Sequence, residues 1–137
     1  MLERATVPQP AVEPETPAAN SSLIDPATVL SGCDGDASLL ADMIQLFEAE
    51  VPELLARVEA AVRSSDAEQL RTAAHALRGL VSAFSTSAAN AAEVLERMGI
   101  DGRAGAAGEQ YQILNQAVQD LRKALPTLTI EKLRGLI

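Results

Sequence analysis

The one histidine of this 137-residue chain, His75, lies among residues that could hold a phosphate group. With about 100° per residue on a helix, the apolar residues of this segment form one narrow stripe: Leu70, Ala74, Leu77, Val81 and Phe84. His75 points roughly 140° away from the centre of that stripe, so we expect its imidazole to face water. Neutral imidazole is a nucleophile and is the main form of an exposed histidine at pH 7, so this side chain could accept a phosphoryl group directly.

The outward face of the same predicted helix carries further residues at helical spacing from His75. Arg71 precedes it by four residues and Arg78 follows it by three, so two guanidinium groups flank the imidazole. Charge-assisted hydrogen bonds from them would hold the phosphoryl group of a phosphohistidine. Gly79 is a poor helix residue, and we expect it to give access where a larger side chain would crowd the imidazole. Ser82 lies one turn further along this face.

Composition narrows the fold and the classes of partner. Hydrophobic residues make up 47% of the chain but aromatic residues only 2%, so the core must consist mainly of aliphatic side chains, most of which favour helices. We therefore predict an all-α fold. The formal charge of −8 argues against nucleic acid and anionic membranes as partners. No apolar run is long enough for direct membrane insertion, and no metal-ligand spacing occurs; Cys33 is interpreted as a small loop residue.

Three regions follow from the distribution of prolines and helical patterns. Residues 1–22 are rich in proline and are predicted to be a flexible linker or tail. Such a linker favours a domain carried behind a larger protein, although Met1 could equally start a short free-standing one. Residues 23–126 are predicted to form the helical domain, and residues 127–137 a C-terminal extension amphipathic enough to dock as a further turn.

Helix start and stop signals divide the predicted domain. A short helix begins at Asp25-Pro26 and ends at Leu30, and Asp36 caps a long apolar-periodic segment. Pro52 predicts a kink or a restart of that segment, because an internal proline removes a helical hydrogen bond. Ser65 and, three residues later, Glu68 have capping-box spacing at the start of the helix that bears His75.

Two further helices complete the pattern. Ser85 supplies a cap for the next one, which Gly99 can terminate, and a glycine-containing loop over residues 101–108 leads to the last one, which ends before Pro126. Long helices joined by short turns are typical of a bundle. We predict an antiparallel four-helix bundle, up-down-up-down, with a short extra N-terminal helix.

The segment from His75 to Gly79 resembles the His-x-Leu-Lys-Gly signature of histidine-containing phosphotransfer (HPt) domains, with Arg78 in the place of the lysine. Similarity to this family extends over residues 24–125, including the run from Val51 to Leu55. The resemblance implies that His75 receives a phosphoryl group from a receiver-domain aspartate and passes it to another receiver domain. The partners would be receiver domains of a hybrid histidine kinase or of a response regulator, and Mg²⁺ would be bound only by them.

The chain departs from the family pattern at two positions. Arg78 keeps the charge of the family's lysine but changes its shape and hydration, and Ser85 stands where the family often has glycine. The family also commonly places a polar residue on the neighbouring helix, near the imidazole. That position falls at Glu96 or at Arg97, and Glu96 is preferred.

Other functional classes fit the sequence less well. An autokinase is disfavoured because the chain has no nucleotide-binding module or glycine-rich phosphate loop, and a triad or metal enzyme because it has no second histidine or cysteine. A nucleic-acid-binding bundle is disfavoured by charge. The principal alternative is a degenerate HPt-like helical adaptor that binds receiver domains without phosphotransfer. We expect a cytoplasmic monomer, either free-standing or the C-terminal part of a larger sensor kinase.

Overall fold

The computed structural model describes residues 23–137, in which every regular element is a helix. The predicted linker over residues 1–22 lies outside the described residues. None of the described helices is long and apolar enough to cross a membrane. The α-helices in chain order are α1 (Pro26–Cys33), α2 (Ala37–Ser64), α3 (Ala67–Val81), α4 (Thr86–Ile100), α5 (Gly108–Ala124) and α6 (Ile130–Gly135), with short 3₁₀ helices at Ala104–Ala106 and Leu125–Thr127.

The predicted apolar stripe anchors α3 in the core. All five of its residues are buried, and α3 packs against both α2 and α4. The ring of Phe84, just beyond the end of α3, meets that of Phe47 on α2 edge-on, with 5.4 Å between the centroids. The fifth helix, α5, also packs against α2 and α4. Because one face of α3 is fully used in this packing, its opposite face is turned to solvent.

The helix caps differ from the prediction at one point. Asp36 accepts hydrogen bonds from the backbone of Ser38 and Leu39, as expected for an N-cap. At the start of α3, however, Asp66 and not Ser65 is the N-cap. Ser65 has a φ of 56° and ends α2 in the left-handed conformation. With only two residues between the two helices, the first closes α2 and the second opens α3.

Proline 52 does not divide the long segment. The helix α2 runs without interruption from Ala37 to Ser64 with Pro52 inside it, so the predicted restart is wrong. Phe47, Val51 and Leu55 are all buried on its inner face. Packing of this apolar stripe on both sides of the proline compensates for the one backbone hydrogen bond that the proline removes.

The N-terminal helix is longer than predicted and belongs to the core. It continues beyond Leu30 to Cys33, whose side chain is completely buried, so the interpretation of this cysteine as a loop residue is wrong. Only Asp34 and Gly35 form the turn, both with positive φ. The apolar character of Cys33 was the signal for burial, since a thiol packs like a small hydrophobic side chain.

Asp25 connects the start of α1 to the connection between α3 and α4. Its carboxylate accepts hydrogen bonds from the hydroxyls of Thr28 and Thr86, at 2.8 and 2.9 Å. Its backbone N–H donates to the carbonyl of Phe84 at 2.8 Å. The hydrogen bonds from Thr28 and then Thr86 hold the pKa of the Asp25 carboxyl below its usual value. This aspartate therefore links two segments that are 61 residues apart in sequence.

Gly99 has a different role from the predicted one. The helix α4 continues past it to Ile100, so Gly99 does not terminate the helix. A Cβ at this position would lie 2.7 Å from the backbone nitrogen of Arg71 and 2.8 Å from the carbonyl oxygen of Ala67. The absence of a side chain allows α3 and α4 to approach backbone to backbone.

The C-terminal residues pack against the N-terminal helix α1. The helix α5 ends at Ala124, shortly before Pro126 as expected, and Leu133 on α6 is completely buried. The last helix contacts α1. Residues beyond the predicted domain thus contribute to the same hydrophobic core.

Candidate functional site

The imidazole of His75 is the exposed centre of the candidate site. Its side chain keeps 62% of its accessible surface, while Ala74 and Leu77, beside it on α3, are completely buried. The buried stripe fixes the rotation of α3 about its axis, because turning the helix would expose these apolar residues. The histidine therefore faces solvent, as the periodicity predicts.

Glu96 on α4 holds one nitrogen of this imidazole. Its Oε2 lies 2.9 Å from Nδ1 of His75, and its side chain is only 16% exposed. Gly99 lies one turn further along α4, and its backbone-to-backbone contact with Arg71 sets the close spacing of the two helices. Of the two residues that the sequence left open, Glu96 is the one in contact with the histidine. Arg97 lines a small cleft beside it, next to Glu93.

Arg78 completes a cluster of three side chains. Its Nη2 lies 3.3 Å from Nδ1 of His75, and its Nε lies 3.4 Å from Oε1 of Glu96. That Oε1 is buried and makes no hydrogen bond within the described residues, so its contact with Arg78 is an ion pair without good hydrogen-bond geometry. The guanidinium therefore offsets the charge of a poorly solvated carboxylate.

The two contacts at Nδ1 decide which ring nitrogen carries the proton. Nδ1 cannot donate to Glu96 and accept from Arg78 at the same time. The carboxylate is the closer partner, at 2.9 Å against 3.3 Å, and can only accept, so the geometry favours a proton on Nδ1. The contact with Arg78 is then an electrostatic one. In this tautomer Nε2 of His75 carries a lone pair and can act as a nucleophile.

Gly79 lies on an open surface. A Cβ built at this position would meet no atom within 4 Å. No packing of one helix on another therefore requires glycine here, and the expectation that a larger side chain would crowd His75 stays a prediction. The surface beside Gly79 is therefore open.

Arg71 on α3 and Ser82, the residue that follows its last residue Val81, make no hydrogen bond or ion pair with the imidazole. The guanidinium of Arg71 pairs with Glu68, 2.6 Å away. The hydroxyl of Ser82 donates to the carbonyl of Gly79 at 3.0 Å. The Arg71–Glu68 pair was visible in the sequence as an i, i+3 spacing of opposite charges. The Arg78–Glu96 pair joins two helices and had no such local signal.

Comparison with known proteins identifies the family. The family model described as the Hpt domain matches residues 42–124, more than half of the chain, and its range includes His75, Arg78 and Glu96. Searches of curated proteins and of solved structures each gave no match. Hpt domains are phosphotransfer modules of phosphorelays that interact with receiver domains and have no kinase activity of their own. This chain belongs to the Hpt domain family, the histidine-containing phosphotransfer domains.

Proposed function

We propose that this chain is an active relay intermediate in which His75 is the phosphoacceptor. It accepts a phosphoryl group from the aspartyl phosphate of one receiver domain, such as that of a hybrid histidine kinase. It then passes the group to the receiver domain of a response regulator. The observation that carries this proposal is the state of the imidazole: Nδ1 is held by Glu96 at 2.9 Å while the side chain remains 62% exposed.

The transfer step needs no general base on this chain. The lone pair of Nε2 attacks phosphorus, the P–N bond forms as the bond between phosphorus and the aspartyl oxygen breaks, and the aspartate leaves as a carboxylate. Nε2 has no proton to lose, because the proton is on Nδ1. The positive charge that develops on the ring lies beside the Glu96 carboxylate, which stabilises it. Mg²⁺ is proposed to act only from the receiver domain.

The other site residues have supporting roles in this proposal. Arg78 is close enough to the imidazole to move to a phosphoryl group on it, and Gly79 leaves a smooth surface for a receiver domain. Arg71 would reach the phosphoryl group only after leaving Glu68, from which it is 2.6 Å away. Ser82 is proposed to lie at the edge of the contact surface.

The principal alternative is a degenerate adaptor that binds receiver domains and never carries phosphate. The Arg78–Glu96 pair against His75 favours the relay, since an adaptor has no need to fix an imidazole tautomer. The test is phosphotransfer from a phosphorylated receiver domain to wild-type protein and to His75→Gln, with receiver binding measured for both. An adaptor would bind in both forms and take up phosphate in neither.

The domain organisation is proposed on the same basis. Residues 23–126 form the phosphotransfer domain as an up-down-up-down bundle with a short extra N-terminal helix, a proposal supported by the contacts of α2 with α3, α3 with α4 and α4 with α5. Residues 127–137 are an extension of it, and residues 1–22, which lie outside the described residues, a linker or tail. We further propose a cytoplasmic monomer without an ATP-binding module.

A further inference from the structure

The guanidinium of Arg78 is engaged on one side of the imidazole. Its two close contacts are with Nδ1 of His75, at 3.3 Å, and with the buried Oε1 of Glu96, at 3.4 Å. Both contacts lie on the Nδ1 side. The phosphoryl group in the proposed function is carried by Nε2, on the other side of the ring. In the unmodified protein Arg78 therefore pairs with the carboxylate of Glu96 and lies away from the position of the phosphoryl group.

We infer that Arg78 is shared between two anions, pairing with Glu96 while His75 is unmodified and moving to the phosphoryl group once His75 is phosphorylated. Glu96 then competes with phosphohistidine for the one guanidinium beside it. The negative charge of Glu96 thereby shortens the lifetime of the phosphohistidine, which suits an intermediate that must pass its phosphoryl group on. This inference rests on the proposed function of His75.

The charges of the two anions make the exchange favourable without making it complete. A phosphoryl group carries more negative charge than a carboxylate and offers three acceptor oxygens to the planar guanidinium. Glu96, however, is only 16% exposed, so leaving its Oε1 without a counter-charge is unfavourable. The Arg78 side chain is 35% exposed and lies on the surface of α3, where its rotatable bonds allow it to turn about the ring.

Glu96→Gln separates the charge of this residue from its hydrogen bond. A glutamine side chain keeps a carbonyl oxygen that accepts from Nδ1–H, so the tautomer of His75 is retained. It removes the negative charge that holds Arg78. The freed guanidinium binds the phosphoryl group, and we expect the phosphohistidine to live about threefold to fivefold longer, the upper part of the range for one ion pair at a partly exposed site.

Glu93→Gln is the matched control. Glu93 lies three residues before Glu96 on α4 and lines the same small cleft. It makes no hydrogen bond or ion pair with His75 or Arg78 among the described residues. The same loss of charge there should leave the lifetime within about twofold, because exposed charges at longer range are screened by salt.

The experiment loads the full chain with phosphoramidate, a small phosphoryl donor that needs no protein partner. After removal of the donor, the decay of acid-labile phosphate is followed by ³¹P NMR for wild type, Glu96→Gln, Glu93→Gln, Arg78→Ala and the double variant Arg78→Ala with Glu96→Gln. The ¹⁵Nε resonance of Arg78 is recorded before and after loading of the wild type. Circular dichroism establishes that every variant is folded.

The inference predicts a longer lifetime for Glu96→Gln only when Arg78 is present, and a shift of the Arg78 resonance on loading. It is overturned if Glu96→Gln decays like wild type, if Glu93→Gln lengthens the lifetime equally, or if the double variant shows the full Glu96→Gln effect. If the wild type takes up phosphate and one of these outcomes is observed, the inference fails but the proposed function of His75 stands. A wild type that takes phosphate from neither phosphoramidate nor a receiver domain would overturn both.

Discussion

Gly99 on α4 lies directly against the backbone of Arg71 on α3, so close that a Cβ would stand 2.7 Å from the Arg71 nitrogen. This contact lies one helical turn from Glu96 on one helix and one turn from His75 on the other. The spacing of the two helices at this point places the carboxylate 2.9 Å from the imidazole. A glycine that contacts no part of the imidazole thus determines the geometry around it.

Gly99→Ala is expected to destabilise the fold. The new methyl group would overlap backbone atoms of α3, which cannot rotate away as a side chain can, so we expect a loss of about 1–3 kcal/mol in the free energy of unfolding. Urea denaturation measures this loss. A variant as stable as the wild type would show that α3 and α4 do not need this close approach.

Gly79→Ala is the opposite case on the neighbouring helix. Its Cβ meets no atom within 4 Å, so replacing a glycine inside a helix should raise the free energy of unfolding by about 0.5–1 kcal/mol. The same urea experiment reports it. A loss of stability would mean that Gly79 is packed in a way that the described contacts do not include.

Gly79→Leu should separate access of a receiver domain from access of a small donor. We expect the rate of transfer from a phosphorylated receiver to fall by about tenfold or more, because a bulky side chain beside His75 displaces the docked domain from the position needed for in-line transfer. Loading from phosphoramidate should stay close to the wild-type rate. Equal slowing with both donors would indicate that the leucine acts on the imidazole itself.

Glu96→Ala should allow the imidazole of His75 to adopt both neutral tautomers. Without the carboxylate no group on α4 accepts the Nδ1 proton, and we expect the ¹⁵N resonances of His75 to show a growing share of the tautomer protonated on Nε2. Since that form cannot attack through Nε2, transfer should slow by about tenfold, equivalent to roughly 1.4 kcal/mol. Unchanged ring nitrogen shifts would contradict the assignment of the proton to Nδ1.

Asp25 predicts a specific dependence of stability on pH. Its pKa is lowered in the folded protein by hydrogen bonds from Thr28 and Thr86, so the folded state favours the carboxylate. The stabilisation is present above the unfolded-state pKa of 3.8 and is lost as the pH falls through the lower folded-state value. We expect Asp25→Ala to reduce the free energy of unfolding at pH 7 by about 1 kcal/mol.

This dependence is tested by comparing the stability of Asp25→Ala with that of the wild type at several pH values. The difference in stability between wild type and Asp25→Ala should shrink as the pH falls below about 4, since the wild-type carboxyl then becomes protonated. Denaturant titrations at several pH values measure it. A difference that stays constant down to the lowest pH would assign the effect to packing and not to the charge of Asp25.

The part of the fold that depends on periodicity could be predicted from the sequence. The stripe from Leu70 to Phe84 gave the orientation of α3 and the exposure of His75, because burial of one face dictates where the other points. The N-caps Asp36 and Ser85 had local signals too. The all-α class followed from composition.

What could not be predicted depends on contacts between distant residues. Pro52 signals a break locally, but packing of its helix on both sides of the proline keeps α2 continuous. Gly99 reads as a helix terminator until α3 is placed against it. The ion pair between Arg78 and Glu96 joins two helices, and no pattern within either one specifies it.

The most direct test is transfer of phosphate from a phosphorylated receiver domain, with Mg²⁺ present, to wild-type protein and to His75→Gln. Acid-labile phosphate on this chain is the readout. We predict label on the wild type and none on His75→Gln, with both proteins folded and both binding the receiver. Absence of label on the wild type across several receiver domains, or label that persists on His75→Gln, would contradict the assignment of His75 as the relay nucleophile.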